Sequence, residues 1–165
     1  MGDWRFRSGL WLFEGFAKLR SVGSKQTIII GRCYCGKVRY RASGSPKFQG
    51  NCHCANCRRA AGAQAVAWIS VAKASFKFTR GKPKRYRTPT KAWRTFCTSC
   101  GTSLTYETPK RPRDVDITTG SIDHPERFPP NRDFFVKEKI SWVARVSRRH
   151  KPRRVITNVR RKNHA

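Results

Sequence analysis

NCHCANCRRAAG, residues 51–62, carries Cys52, Cys54 and Cys57, three of the seven cysteines in a 165-residue chain. His53 separates the first two, and Arg58 and Arg59 follow the last. A closed zinc site takes four ligands, so this stretch alone leaves one position to fill. Three fillings are open on the residues themselves: water or an external thiol at an accessible ion, a further side chain such as His53 closing a structural site, or no metal at all. His53 lies between two ligand candidates, which aims its ring away from their common face.

Outward from this trio the remaining four cysteines fall into two pairs, Cys33 and Cys35 in RCYCG and Cys97 and Cys100 in FCTSCG. CxxC followed by glycine makes a tight turn that lets two sulfurs meet one zinc at about 2.3 Å. In CxC the residues at i and i+2 leave the same side of an extended strand and can also share an ion. Neither pair fills a tetrahedral shell alone. The economical partition therefore joins Cys33, Cys35, Cys97 and Cys100 in a closed, structural site and leaves Cys52, Cys54 and Cys57 as a second group of three, for which an accessible ion is the leading of the three fillings. The odd cysteine count and tight spacings favour reduced, metal-bound thiols, and the compartment expected is the cytoplasm. LWLFEGFA (10–17) is broken by Glu14, so no secretory signal is expected there, and no run reaches the roughly 18 apolar residues of a membrane-spanning helix.

Around the cysteines the texture is that of short strands punctuated by glycine and proline. Val38 and Tyr40 alternate with Lys37, Arg39 and Arg41, the pattern of a half-buried strand. Further strands are expected at 64–71, 74–81, 93–98, 102–108, 114–122 and 134–143. Only residues 58–65 offer much helix, kept short by Gly62. The fold class expected is mainly β, with little helix, the sheets held at a metal-bound edge. Residues 1–27 read as an extension, 28–143 as the folded domain, and 144–165 as a basic tail with nine Lys and Arg and no acid. The tail is expected to be mobile unless an anion orders it.

RCYCGKVRY, NCHCANCRRAAG, FCTSCGTSL, GSIDHPERFPP and the closing KISWV together resemble the glutathione-dependent formaldehyde-activating enzyme (GFA) family, which also includes centromere protein V. The resemblance runs from about residue 28 to 143. It implies a mostly β, Mss4-like (β-tent) fold in a single domain. It also implies two zinc sites, a structural one at Cys33, Cys35, Cys97 and Cys100 and a catalytic one at Cys52, Cys54 and Cys57. The activity implied is condensation of glutathione with formaldehyde to S-hydroxymethylglutathione, a carbon–sulfur lyase reaction run in the direction of addition. The chain departs from its relatives in having Tyr34 between the first two cysteines and in its basic end.

Glutathione carries two carboxylates, and Arg58 and Arg59 stand next to the last trio cysteine, where a guanidinium fork can meet one of them. The competing reading of each is a solvated surface arginine. Trp68 and Phe96 are candidates to wall a pocket near the metal, or else core residues. Asp123 and His124 are candidates for proton transfer, or else turn residues. The net charge of +28 keeps a second class of function open. In that reading the chain is a basic, zinc-stabilised module that binds nucleic acid or another polyanion through RRHKPRR (148–154) and RRK (160–162). No membrane partner is expected.

Overall fold

The computed structural model describes residues 27–146. The expectations for residues 1–26 and for 147–165, including both basic runs of the tail, lie outside the described residues.

The chain forms two sheets joined by tight turns, with one short helix among the described residues. β1 (Ile28–Arg32) and β2 (Arg39–Ser43) make an antiparallel hairpin about the first cysteine pair, and β5 (Phe76–Arg80) adds to β2. The alternation read from the sequence sets this sheet's two sides: Tyr40 and Ala42 are buried while Arg39 and Arg41 are exposed. The larger sheet contains β3 (Phe48–Cys52), β4 (Val66–Ala72), β6 (Lys84–Arg87), β7 (Trp93–Phe96), β8 (Ser103–Glu107), β9 (Asp114–Thr118) and β10 (Asp133–Phe134). Its order is β10-β3-β4-β9-β8-β7-β6, antiparallel except where β10 runs parallel to β3. The mainly β expectation holds. Among the described residues no helix is long and apolar enough to cross a membrane.

β4 is the strand that positions the site, because it is covered on both faces. Ile69 and Val71 enter the main core with Tyr40, Leu104 and Ile117. Val66 and Trp68 point the other way and form a second cluster with Cys52 and Cys57. A period-2 strand thus separates the packing that holds the sheets together from the packing around the trio.

Four local readings need correction. α1 is Ala55–Ala61, three residues earlier than the 58–65 expected, because the Cys54 side chain caps it by accepting from the Cys57 amide. Cysteine is an unusual cap, so the start was not legible, whereas the stop at Gly62 in the left-handed region was. β3 (FQGNC) and the exposed edge strand β6 (KRYR) were not anticipated. Both lack the β-branched, alternating pattern that marks strands in isolation. The strand expected over 114–122 ends at Thr118, where a 3-10 turn begins. Residues 134–143, expected as a strand, contribute only the short β10. Phe135 adopts φ 56° and turns the chain into a 3-10 turn over Val136–Glu138. The Lys139 ammonium then donates to the carbonyls of Ile140, Ser141 and Val143, which gathers KISWV into a compact loop.

Candidate functional site

The two cysteine pairs meet. β1 delivers Cys33 into a turn in which the Gly36 amide donates to the Cys33 carbonyl (3.0 Å) and the Cys33 amide to Val38 (3.0 Å). β7 delivers Cys97 into the same construction: the Gly101 amide donates to Cys97 (2.9 Å) and the Cys97 amide to Thr102 (3.0 Å). Both glycines sit at φ +72°, a backbone state that a Cβ disfavours. The Tyr34 amide donates to Thr102 Oγ1 across the two turns (3.0 Å). All four sulfurs lie within 4.8 Å of one another, with Cys33 to Cys35 at 3.5 Å and Cys35 to Cys97 at 3.8 Å. A tetrahedral zinc with bonds of about 2.3 Å has sulfur–sulfur edges of about 3.8 Å, so this donor set fits a tetrahedral thiophilic ion.

Electrostatics within the tetrad favour a cation. Donation from the Thr102 hydroxyl, helped by backbone amides, draws the Cys100 thiol down to about 5. Cys33 is also lowered: burial opposes its ionisation, but the Val38 amide and the neighbouring thiols outweigh it. Cys35 benefits from the Lys37 amide, yet burial and the adjacent sulfurs push it up to about 11. Several thiolates cannot share so small a volume without a positive charge among them.

The trio is built from one junction. Cys52 ends β3, Cys54 caps α1 and Cys57 lies in its first turn, so their sulfurs come within 4.8 Å of one another, Cys52 to Cys54 at 3.4 Å. Cys52 and Cys57 are buried and Cys54 is partly exposed. Donation from Cys52 and the guanidinium of Arg94 pull the Cys57 thiol down to about 5, while Cys52 itself is pushed far up by its bond to Cys57 and by burial. Arg94 Nη2 stands 3.4 Å from Cys57 Sγ, and Arg94 Nη1 is buried with no partner among the described residues. The three sulfurs form a group able to hold an ion, with no fourth His, Cys, Asp or Glu among the described residues inside it.

The trio faces a cleft of about 1180 Å³ lined also by Arg59, Trp68, Arg94, Phe96 and Tyr106. A single row across the large sheet supplies part of its lining. Phe48, Ser70, Asp116, Tyr106, Arg94 and Tyr86 stand directly opposite one another on successive strands. Arg94 therefore reaches Cys57 by strand register, and its guanidinium lies over the Tyr106 ring at 4.9 Å. Arg111 is held by Asp116 and by Ser70 Oγ (3.1 Å), which makes it part of the wall.

Of the arginine pair only Arg59 lines the cleft. Arg58 donates to the His53 carbonyl (3.1 Å), and both arginines border a separate shallow depression with Ile140 and Trp142. Trp68 and Phe96 both line the cleft, Trp68 nearly buried against Tyr106 at 6.1 Å between ring centres. His53 stands outside the sulfur group. Fully buried, it pairs through Nε2 with Asp133 Oδ1 at 2.8 Å, and Asp133 Oδ2 accepts from the Val146 amide. Asp123 and His124 do not line the cleft. The Asp123 amide donates to Ile30 and its carboxylate faces Arg32 at 3.6 Å, while His124 contacts Glu126.

Among the cleft residues the sequence reading does not single out, Arg94 and Glu138 make the contacts nearest the trio. Arg94 lies two positions before Phe96, so period-2 alternation places both on one side of β7; that signal was present. Glu138 accepts from the Ala55 amide at 2.8 Å, tying the 131–146 segment over the start of α1. Nothing local marks that contact, which spans 83 residues.

A protein of Halomonas elongata named "Putative glutathione-dependent formaldehyde-activating enzyme" is 28% identical over 130 residues, covering 73% of this chain and 83% of that protein. A crystal structure of a Rhodobacter sphaeroides protein superposes with a TM-score of 0.49 at 21% identity, over 57% of this chain and 87% of that one. Residues 28–138 match the family described as glutathione-dependent formaldehyde-activating enzyme, a span that takes in both cysteine groups and the cleft. The chain belongs to that family.

Proposed function

We propose that the protein is a zinc-dependent enzyme of thiol–aldehyde adduct chemistry, most simply joining glutathione to formaldehyde, with Cys52, Cys54 and Cys57 as the catalytic metal ligands. Cys33, Cys35, Cys97 and Cys100 hold the structural ion in this reading. The observation that carries it is a group of three sulfurs at the wall of an arginine-bearing cleft, one ligand short of a closed shell. Zinc at such a site supplies Lewis acidity, lowering the pKa of a thiol or polarising a carbonyl.

The chain's own residues supply the rest. Arg59, at the cleft, offers a fork for a glutathione carboxylate. Arg94 compensates negative charge at Cys57. Trp68 and Phe96 give the cleft apolar wall against which the peptide can pack and from which water is excluded. In the reaction the sulfur pair of the thiol forms the new carbon–sulfur bond, the carbonyl π pair moves onto oxygen, and the proton lost by the thiol ends on that oxygen. Cleavage of the adduct reverses each move, which is the carbon–sulfur lyase direction. Because uncatalysed addition is already facile, holding the two reactants together is the main contribution asked of the cleft.

The test is exchange spectroscopy by NMR on glutathione and formaldehyde at equilibrium, with and without protein. Exchange between free and hydroxymethylated glutathione should accelerate in proportion to protein, and Cys54→Ala should abolish the acceleration. Exchange at the buffer rate with metal-replete protein would remove the enzymatic reading.

A further inference from the structure

The outward side of the small sheet is a ladder of positive charge that the fold itself does not use. β1 and β2 place Arg32 directly opposite Arg39, and β2 and β5 place Arg39 opposite Arg80. In the next outward row Arg41 stands opposite Lys77, with Ile30 beyond it. A bulge in β5 between the two rows brings Arg80 onto this side. All five basic residues are exposed, and the three strands carry no acid. Among the described residues Arg32 faces Asp123 at 3.6 Å, while Arg39, Arg41, Lys77 and Arg80 form no ion pair.

Like charges set directly opposite one another in a sheet are destabilising, and threonine or valine would serve these positions better for folding alone. The spacing suits a polyanion: neighbouring strands are about 4.8 Å apart, and the two rows, two residues apart along β1 and β2 and three along the bulged β5, lie about 6.8 Å apart on β1 and β2. That second distance is close to the reach between successive phosphates of an extended strand. A second observation is independent of charge. Tyr34, in the turn joining β1 and β2 at the Arg32–Arg39 end, is 93% exposed, so its ring face is free. An exposed aromatic beside a basic track is the pairing used to hold single-stranded nucleic acid, with phosphates on the cations and a base on the ring.

We infer that the outward side of β1, β2 and β5 binds single-stranded nucleic acid, through Arg39, Arg41, Lys77 and Arg80 on phosphates and Tyr34 stacked on a base. The surface is separate from the cleft, so the inference stands or falls apart from the proposed enzyme. It also differs from binding through the basic run at 148–154, because its contacts come from folded strands.

The test measures binding of the full chain to fluorescein-labelled oligo(dT) and oligo(rU) of about 20 nucleotides, long enough to cross one such site. Three neutral substitutions together, Arg39→Gln, Arg41→Gln and Lys77→Gln, should weaken binding at least about tenfold and reduce the slope of log affinity against log salt by about 2. A control with the same change in net charge elsewhere, Arg113→Gln, Lys137→Gln and Arg145→Gln, should lose much less. The sheet variant should keep or raise its unfolding midpoint, since it relieves repulsion. Tyr34→Ala should weaken binding about tenfold with an unchanged salt slope. Stronger binding of rU than dT would identify RNA as the source, and the reverse would identify DNA. Equal losses in the two triple variants would overturn the inference. So would loss of all binding on deleting 147–165 with the sheet variant silent, or tighter capture by phosphatidylserine vesicles than by either oligonucleotide.

Discussion

Cys33, Cys35, Cys97 and Cys100 come from two turns whose facing cysteines, Cys35 and Cys97, are 62 residues apart, whereas Cys52, Cys54 and Cys57 come from one strand-to-helix junction. Both groups converge sulfurs to within 4.8 Å, yet an ion would do different physical work in each. An ion in the first would close a long loop and fasten the small sheet to the large one, so its binding energy would be folding energy. An ion in the second spans only six residues of already adjacent chain and constrains little. Packing follows the same division, since Cys33 and Cys97 belong to the main core and the trio belongs to the small cluster around Trp68. The number of thiols matters less than the separation along the chain that their ion bridges.

The sharpest way to break this comparison is to remove one sulfur from each group. Cys97→Ser should forfeit about 4 kcal/mol, by analogy with cross-linking a loop of that length, and lower the calorimetric unfolding midpoint by about 10 °C or more. An unchanged midpoint would mean that the tetrad is not a brace. Cys54→Ala should instead cost at least about 100-fold in adduct exchange while shifting the midpoint by only about 3 °C or less. Its metal content, measured by inductively coupled plasma analysis, should fall by one equivalent and stop there.

Smaller effects test the parts of the cleft. Arg94→Met should lower kcat/KM about tenfold or more with both metals retained, because it removes the cation beside Cys57 and leaves the sulfurs in place. Arg59→Ala should raise the KM for glutathione about fivefold, whereas Arg58→Ala should leave it unchanged because Arg58 faces another surface. Equal effects of the two would contradict a glutathione contact made by Arg59 at the cleft. Smallest of all, Gly101→Ala should cost about 1 kcal/mol of stability through the positive φ alone, read from the urea midpoint, since a Cβ there meets no neighbour within 4 Å.

By itself the sequence determined the grouping of the seven cysteines, the mainly β character and the short helix stopped at Gly62. Each depends on spacing along the chain: CxC and CxxC followed by glycine set which thiols can share an ion, and period-2 alternation set which side of β2 is buried. Only the tertiary structure decided what meets the trio. Arg94 reaches Cys57 because β4, β9, β8 and β7 align in one register; Glu138 reaches Ala55, and Asp133 reaches His53, because the 131–146 segment folds back beside β3. That only Arg59 of the pair lines the cleft likewise depends on how α1 is seated. The reason is that a neighbour's spacing fixes a local turn, while a contact across 37 residues, such as Arg94 with Cys57, is fixed by pairing among strands whose order no local pattern encodes.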